Sequence, residues 1–217
     1  IQRKTTTLRE QVGDVLRKAI THGRFQPGER LIERELCELT RVSRTSVREA
    51  LRHLESEGLV VNVPNKGPTV ATVGVDDAQN IYEMREALEG QAGRLFAQRA
   101  SAREITALID AKDNLERGFA SKNLEAILNA TTDFYEVFLH GCGNELIRNA
   151  IRSLNARIVY LRATSMSQPG RSAGSFQEMH RIVDAIARRD ADAAEAACKE
   201  HVRNACAAAL DVLRKRG

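Results

Sequence analysis

The stretch Val42-Ser-Arg-Thr-Ser-Val-Arg-Glu-Ala-Leu-Arg-His-Leu54 combines the start of a helix, an apolar face and a row of arginines. Ser43 is a typical N-cap residue, because its hydroxyl can accept a hydrogen bond from a free amide in the first helical turn. Apolar side chains then recur at helical spacing, namely Val47, Ala50, Leu51 and Leu54. The pattern predicts an amphipathic helix over about residues 44–57.

The outer face of this helix carries Arg44, Arg48 and Arg52, each four residues after the last. In the major groove of DNA, a guanidinium can donate two hydrogen bonds to the O6 and N7 atoms of guanine. The alternative is a solvated face on which Arg48 and Arg52 pair with Glu49 and Glu55. The helix taken alone leaves both interpretations open.

The neighbouring segments favour DNA binding. Helical patterns over about residues 8–22 and 33–39 precede the arginine-bearing helix. Two β-rich stretches at 59–63 and 69–73 follow it and flank the turn Pro64-Asn-Lys-Gly67, which predicts a hairpin. Three short helices followed by a hairpin are the layout of a winged helix-turn-helix, whose third helix enters the major groove.

Charge and composition agree with this interpretation. Residues 1–72 contain 13 Lys and Arg against 9 Asp and Glu, so they account for the whole net charge of +4. Such asymmetry indicates a polyanionic partner at the basic end. No apolar run approaches the roughly 18 residues that span a bilayer, no secretory leader is visible, and the four cysteines form no CxxC pair. We therefore expect a globular, cytoplasmic protein with reduced thiols.

The remaining two thirds of the chain show helical patterns and no convincing strand. Their apolar stripes run over about residues 77–98, 102–121, 123–141, 144–166, 175–188 and 191–215. The expected fold is mainly α, with a winged helix-turn-helix at residues 1–72, a linker at 73–78 and an all-α bundle of about six helices at 79–217. The irregular segment 166–174 is predicted to be a mobile loop near the mouth of a pocket.

The first third resembles the DNA-binding domain of the GntR superfamily of bacterial transcription regulators. The resemblance covers residues 7–72 and rests on Ile20-Thr-His-Gly-Arg-Phe-Gln-Pro-Gly-Glu-Arg-Leu31, on Val42 to Leu51 and on Leu54-Glu-Ser-Glu-Gly-Leu-Val60. It implies operator DNA as the partner, with contacts at Arg34, Arg44, Thr45, Ser46, Arg48 and Gly67. We add Lys66 from its place at the hairpin tip and Arg52, from its spacing, as a phosphate contact.

The remaining part resembles the FCD ligand-binding domain of the FadR-like branch of these regulators. The resemblance rests on three blocks, which begin at Ile81-Tyr-Glu-Met-Arg, at Asp133-Phe-Tyr-Glu-Val and at Glu178-Met-His-Arg-Ile. It implies a homodimer whose affinity for an operator is controlled by a small effector, with repression as the more usual mode.

Many members of this domain family hold a divalent metal through a carboxylate or amide, a histidine four residues later and two further histidines. His180 and His201 match the last two positions, whereas Thr131 and Tyr135 stand at the first two. Two imidazoles are too few for a closed site unless waters or the effector complete it. We therefore expect no bound cofactor, and a zinc or nickel ion held by His180 and His201 is the alternative.

Four polar residues of the second part are predicted to bind the effector. His180, His201 and Tyr135 can exchange hydrogen bonds with it, and Arg85 can pair with an anion, so an organic acid is the effector class that we favour. Each prediction has an alternative. Arg85 can instead form an i,i+4 salt bridge with Glu89, the histidines can be satisfied polar groups of the core, and Tyr135 can be a half-buried core residue.

The sequence contains no phosphate-binding loop, nucleophile elbow or His-Glu-x-x-His motif, so we expect a regulator and not an enzyme. One alternative is a metal-dependent helical enzyme or metal sensor fused to a DNA-binding domain. Another is an architectural DNA-binding protein without an effector, which predicts a fully packed second domain.

Overall fold

The computed structural model describes residues 8–21, 23–121 and 123–216. Contacts divide the chain into two compact units. The first contains the described residues up to Val73 together with Leu154–Tyr160, and the second contains Gly74–Ser153 and the described residues from Leu161 onward. Each unit has its own core and is considered separately.

The first unit has the predicted order of three helices and a hairpin. Its elements are α1 (Leu8–Thr21), α2 (Glu33–Thr40), α3 (Arg44–Ser56), β1 (Val60–Val63) and β2 (Gly67–Val70). The two strands are antiparallel, with Val60 opposite Val70 and Val63 opposite Gly67. The predicted winged helix-turn-helix layout is therefore confirmed, although the second strand begins two residues earlier than the apolar pattern indicated.

Helix α3 is placed by its cap and its apolar face. The Ser43 hydroxyl accepts a hydrogen bond from the Ser46 amide at 3.3 Å, as predicted for the N-cap. The four side chains predicted to face inward are all buried, namely Val47, Ala50, Leu51 and Leu54. They pack in one core with Leu16 of α1 and Leu36 of α2, and burial of such side chains is the main stabilising contribution to a small domain.

The second unit is all-α within its described residues. Its helices are α4 (Val75–Arg99), α5 (Ala102–Ala120), α6 (Leu124–Gly141), α7 (Glu145–Ser153), α8 (Asn155–Met166), of which the residues from Leu161 onward belong to this unit, α9 (Arg171–Ala187) and α10 (Ala191–Arg216). Because α4 begins at Val75, residues 75–78 of the predicted linker are helical. Among the described helices, none combines the length and the apolar character that crossing a bilayer requires.

Two boundaries in this unit differ from the predictions. The helix predicted over 144–166 is two helices, α7 and α8, so the bundle has seven helices instead of about six. The Ser153 hydroxyl donates to the Ala150 carbonyl at the break, a side-chain bond that competes with the helical ladder. The predicted loop 166–174 shrinks to residues 167–170, because Gly170 adopts φ +79° and α9 begins directly after it.

Small residues let the helices of the second unit approach closely. A Cβ at Gly93 of α4 would lie 2.6 Å from the Sγ atom of Cys198 on α10. A Cβ at Gly141, the last residue of α6, would overlap the ring of Phe96, which is fully buried and stacked on Phe138. Glycine at these positions therefore allows the helices to pack at their observed separation.

Replacing Gly141 by alanine is expected to lower the free energy of unfolding by about 1–3 kcal/mol, because the added methyl group forces the Phe96 ring to move in a packed core. The matched control is Gly13→Ala in α1, where the nearest atom to the new Cβ is 4.0 Å away. That change should be neutral or mildly stabilising, since alanine favours a helix interior over glycine. Urea denaturation followed by circular dichroism measures both, and equal effects would contradict the close-packing argument.

Candidate DNA interface and effector cavity

The outer face of α3 is exposed along its whole length. Arg44, Thr45, Arg48 and Arg52 are all exposed, and so is Arg34 on α2. The row of arginines predicted from the sequence is therefore available to a ligand in this unit. Its role in contacting DNA stays a prediction, because the structure contains no nucleic acid.

The ion pair on this face differs from the one that the sequence offered. The Nε atom of Arg48 lies 2.7 Å from Glu33 of α2, and not beside Glu49. The hydrogen bond from Arg48 and the charge of the pair lower the pKa of Glu33. The Arg48 side chain is 59% exposed, and an exposed pair of this kind is readily exchanged for a contact with phosphate or a base. The Arg48–Glu33 ion pair therefore leaves the outer face of α3 accessible.

The tip of the hairpin is a narrow, exposed turn. Asn65 and Gly67 have φ values of +64° and +83°, a region that asparagine and glycine adopt more readily than other residues. The Lys66 Nζ donates to the Gly28 carbonyl at 2.7 Å and remains exposed. A Cβ at Gly67 would have no atom within 4 Å, so the hairpin tip has open space at this point.

Ser46, a further predicted DNA contact in the first turn of α3, is half-buried. Its hydroxyl lies 3.1 Å from that of Ser43.

The second unit contains a small polar cavity. Five of its helices contribute to the lining, which consists of Arg85, Thr131, Arg162, Ser165, Met166, Arg171, Ser175, His201 and Ala205. Three guanidinium groups, three hydroxyls and an imidazole thus surround one enclosed space. Convergent polar groups of this kind are typical of small-molecule sites, although such sites are usually far larger, at about 300–1,000 Å³.

Arg85 forms the salt bridge with Glu89 that was the alternative to effector binding, and it also lies in the cavity lining. Its Nε donates to Glu89 at 2.6 Å in a buried i,i+4 pair. The Tyr135 hydroxyl donates to the other Glu89 oxygen at 2.9 Å. Burial opposes ionisation of Glu89, but the Arg85 guanidinium and smaller contributions hold its pKa below the usual value. Burial also raises the pKa of Tyr135 well above that of a free phenol.

His201, which also lines the cavity, belongs to a second buried cluster. Its Nδ1 lies 2.7 Å from Glu178, whose carboxylate also accepts hydrogen bonds from Arg171 at 2.7 Å and Asn204 at 2.8 Å. Burial lowers the pKa of His201, although the nearby Glu178 acts in the opposite direction. The imidazole is therefore neutral near pH 7 and can both donate and accept a hydrogen bond.

His180 does not belong to the cavity, which corrects the prediction. Its side chain is 44% exposed and its Nε2 lies 3.4 Å from Asp184 on the outside of α9. Glu178 and Met179 are the buried residues at this level of the helix. Successive helical residues differ in direction by about 100°, so an error of one or two positions is enough to move a side chain from the cavity to the surface.

The predicted metal ligands are not brought together. His180 and His201 face different carboxylates, the Thr131 hydroxyl donates to the Ile127 carbonyl at 2.6 Å, and the Tyr135 hydroxyl donates to Glu89. Within the part of the chain that the structure describes, no group of three or more His, Cys, Asp or Glu residues is arranged to hold an ion. The donor set of this cavity therefore does not fit a zinc or nickel ion.

The sequence prediction did not include the two arginines Arg162 and Arg171 of the lining, or Glu178, which contacts the lining residues Arg171 and His201. Arg162 and Ser165 are polar residues three positions apart in a mostly apolar helix, and this spacing is a signal for a polar buried face. Arg171 was placed in a loop, so it had no predicted direction. Glu178 lies inside the block quoted for the family resemblance, but no role was assigned to it.

A winged helix-turn-helix joined to a helical bundle with a polar cavity defines a class of protein, the ligand-responsive DNA-binding regulators. The family model described as bacterial regulatory proteins, gntR family, matches residues 8–70, and the FCD domain model matches residues 80–204. The chain belongs to the GntR family and carries an FCD domain.

Relatives and a solved structure agree with this assignment. The chain is 31% identical over 192 residues to the Nta operon transcriptional regulator of Aminobacter aminovorans, which covers 88% of this chain and 89% of the relative. It is 30% identical over 200 residues to a probable D-xylose utilization operon transcriptional repressor of Paenarthrobacter nicotinovorans, covering 91% and 86%. The fold matches that of E. coli McbR/YncC with a TM-score of 0.82 at 22% identity, covering 97% of this chain and 99% of the other.

The protein is therefore a DNA-binding transcriptional regulator with an effector-binding domain, and not an enzyme. The prediction of a GntR-type regulator with an FCD domain is confirmed. The alternative of a metal-dependent helical enzyme fused to a DNA-binding domain is not supported by the family.

Proposed function

We propose that this protein is a homodimeric, cytoplasmic repressor whose operator affinity is controlled by an organic acid bound in the cavity of the second unit. The observation that carries the proposal is the convergence of Arg85, Arg162 and Arg171 on one enclosed space. Buried guanidinium groups are suited to bind a carboxylate through paired, charge-assisted hydrogen bonds. The relative from Paenarthrobacter nicotinovorans, which is named a repressor, supports the direction of control.

The mechanism that we propose is a two-state switch. In a dimer, two α3 helices must fit two major-groove sites at a fixed separation along the operator. An effector that prefers one state of the protein shifts the population toward it by its difference in affinity for the two states. If the favoured state spaces the two α3 helices differently, the operator is released.

The proposal predicts that His201→Gln weakens the response to the effector at least about tenfold, because this ring lies in the cavity lining. The matched control is His180→Gln, which removes a histidine from the exposed side of α9 and should leave the response unchanged. Fluorescence anisotropy of a labelled operator, titrated with a panel of organic acids, measures both. Operator binding that no organic acid alters in the wild-type protein would contradict the proposed effector class.

A further inference from the structure

The charges around the cavity do not cancel. The side chains of Arg85, Arg162 and Arg171 are each at most 8% exposed. Among the described residues, Glu89 and Glu178 are the acidic side chains with comparable burial. Three buried cations therefore stand against two buried anions.

The pairing of these groups shows where the excess charge lies. Arg85 is bound to Glu89 at 2.6 Å and Arg171 to Glu178 at 2.7 Å. Arg162 has neither an ion pair nor a hydrogen bond with any residue that the structure describes. Arg162 instead makes a cation–π contact, since its Cζ atom lies 4.6 Å from the centre of the buried Tyr135 ring.

The Arg162 guanidinium is thus held in an unfavourable environment. Burial lowers its pKa, and the nearby positive charge of Arg85 adds to this effect, against the contributions of Tyr135 and of the Glu89 carboxylate. A guanidinium nevertheless stays protonated in proteins, so it remains a buried cation without an ion pair of its own, because Glu89 is bound to Arg85. Such a charge is strongly unfavourable unless a partner of opposite sign compensates it.

A second unpaired donor belongs to another residue of the same lining. Arg171 is the first residue of α9 and donates to Glu178 through Nη2, but its buried Nε has no partner among the described residues. Arg171 and Arg162 both line the cavity, from α9 and α8 respectively. The hydroxyls of Ser165 and Ser175 lie in the same lining and can donate hydrogen bonds as well.

We propose that the cavity selects a small ligand with one carboxylate, and that Arg162 is the residue that holds this carboxylate, with the Arg171 Nε as a further donor. The inference rests on the proposed function and deepens it, since it states the charge of the effector and its anchoring residue. The positive charge that binds the effector then comes from an arginine and not from a metal ion, which the residues of this cavity do not fit.

A dianion fits the same cavity poorly. One carboxylate neutralises the excess charge, and a second one would add an uncompensated negative charge to the buried space. His201 is the group that could compensate it by taking up a proton: burial and the charge of Arg85 lower its pKa, but the carboxylates of Glu178 and Glu89 act in the opposite direction, and a bound dianion would add to them. Binding of a dianion would then become tighter as the pH falls, whereas binding of a monoanion through Arg162 needs no proton.

The size of the cavity favours a small ligand. Its volume is about 10 Å³, on a scale where a single water molecule occupies roughly 10–15 Å³. Even a short acid must therefore displace side chains on entry. Met166 is a flexible, unbranched side chain in the lining, and methionine adapts readily to a change in the space around it.

The test compares acids of matched length on the full-length protein. Isothermal titration calorimetry at pH 7.5 and constant ionic strength measures the dissociation constants of butyrate, succinate and inorganic phosphate. We expect butyrate to bind at least about tenfold more tightly than succinate or phosphate. Its stabilisation of the fold should grow with the logarithm of its concentration above the dissociation constant, and the melting temperature should rise accordingly. The succinate titration is repeated at pH 6 to detect proton uptake.

Three variants test the anchoring residue. Arg162→Gln should weaken butyrate binding at least about tenfold, and Arg162→Lys, which retains a positive charge, should recover part of the affinity. The matched control is Arg188→Gln, which removes an exposed arginine at the end of α9 and should bind butyrate like the wild type. Because Arg162 has no carboxylate partner, Arg162→Gln should not lower the melting temperature of the ligand-free protein, whereas loss of a structural residue would.

Succinate binding as tight as butyrate at pH 7.5, unchanged butyrate binding in Arg162→Gln, or no binding of any of the acids would each overturn this inference. Operator binding by the same samples tests the proposed function separately. If the wild-type protein releases its operator with another ligand while butyrate has no effect, the inference about charge fails and the function as a regulator stands.

Discussion

Replacing Glu89 by glutamine is expected to lower the free energy of unfolding by about 3–5 kcal/mol. The Arg85–Glu89 pair is almost completely buried, at 2% and 3% side-chain exposure, and removing one partner leaves the other charge without compensation in a low-dielectric environment. The loss is larger because the Glu89 carboxylate also interacts electrostatically with Arg162, a second buried cation that has no ion pair of its own. Glutamine keeps the shape of glutamate, so the effect reports on charge and not on packing.

The matched control for this prediction is Glu86→Gln, on the same helix. Glu86 pairs with Arg203, and both side chains are far more exposed, at 28% and 64%. Pairs of this kind contribute little to stability, so the control should unfold almost like the wild type. A double variant, Arg85→Met with Glu89→Leu, should recover much of the lost stability, because replacing a whole buried pair by apolar residues is often neutral. Equal denaturation midpoints for Glu89→Gln and Glu86→Gln would contradict the buried-pair argument.

Replacing Arg44 by alanine is expected to weaken binding to the operator by about 1–3 kcal/mol, which corresponds to roughly 5–150-fold, and to relax base preference. Arg44 is the first residue of α3 and is exposed on the face opposite the buried side chains. Residues near the start of a recognition helix are the ones that contact base edges. Loss of a paired hydrogen bond to guanine removes discrimination as well as affinity.

Arg52→Ala tests the other half of the same surface. Arg52 lies two turns further along α3, and we predict a phosphate contact there. Its loss should weaken binding similarly for all sequences and reduce the slope of log affinity against log salt by about 1. Arg181→Ala, which removes an exposed arginine of the second unit, controls for net charge. Measurements use DNA selected by the wild-type protein from a random pool, and wild-type binding by Arg44→Ala would contradict the assignment of α3 as the recognition helix.

Local signals explain why the first unit was predictable from the sequence. An N-cap at Ser43, apolar residues at helical spacing and a glycine-containing turn at Gly67 each act within a few residues of chain. The hydrogen bonds and burial that they imply are all present. Even here the partner of Arg48 was not predictable, because Glu33 lies 15 residues away on another helix.

The second unit shows the limit of the same reasoning. Helical periodicity predicted its class, but it did not show the break between α7 and α8 or the early start of α9. The choice of His180 followed a sequence match, and the direction of a helical side chain changes by about 100° with each residue. The exposed His180 and the buried Glu178, which binds the cavity residues Arg171 and His201, are thus two positions apart.

The amino-acid sequence by itself determined that a basic winged helix-turn-helix precedes an all-α domain, since helix caps, turns and amphipathic periodicity are short-range properties. Only the tertiary structure decided which charges share the cavity. The contacts between Tyr135 and Glu89 and between His201 and Glu178 join residues 46 and 23 positions apart, and the excess charge of Arg162 follows from which cations those carboxylates already neutralise. Electrostatic compensation depends on distances across the fold, and no spacing along the chain specifies them.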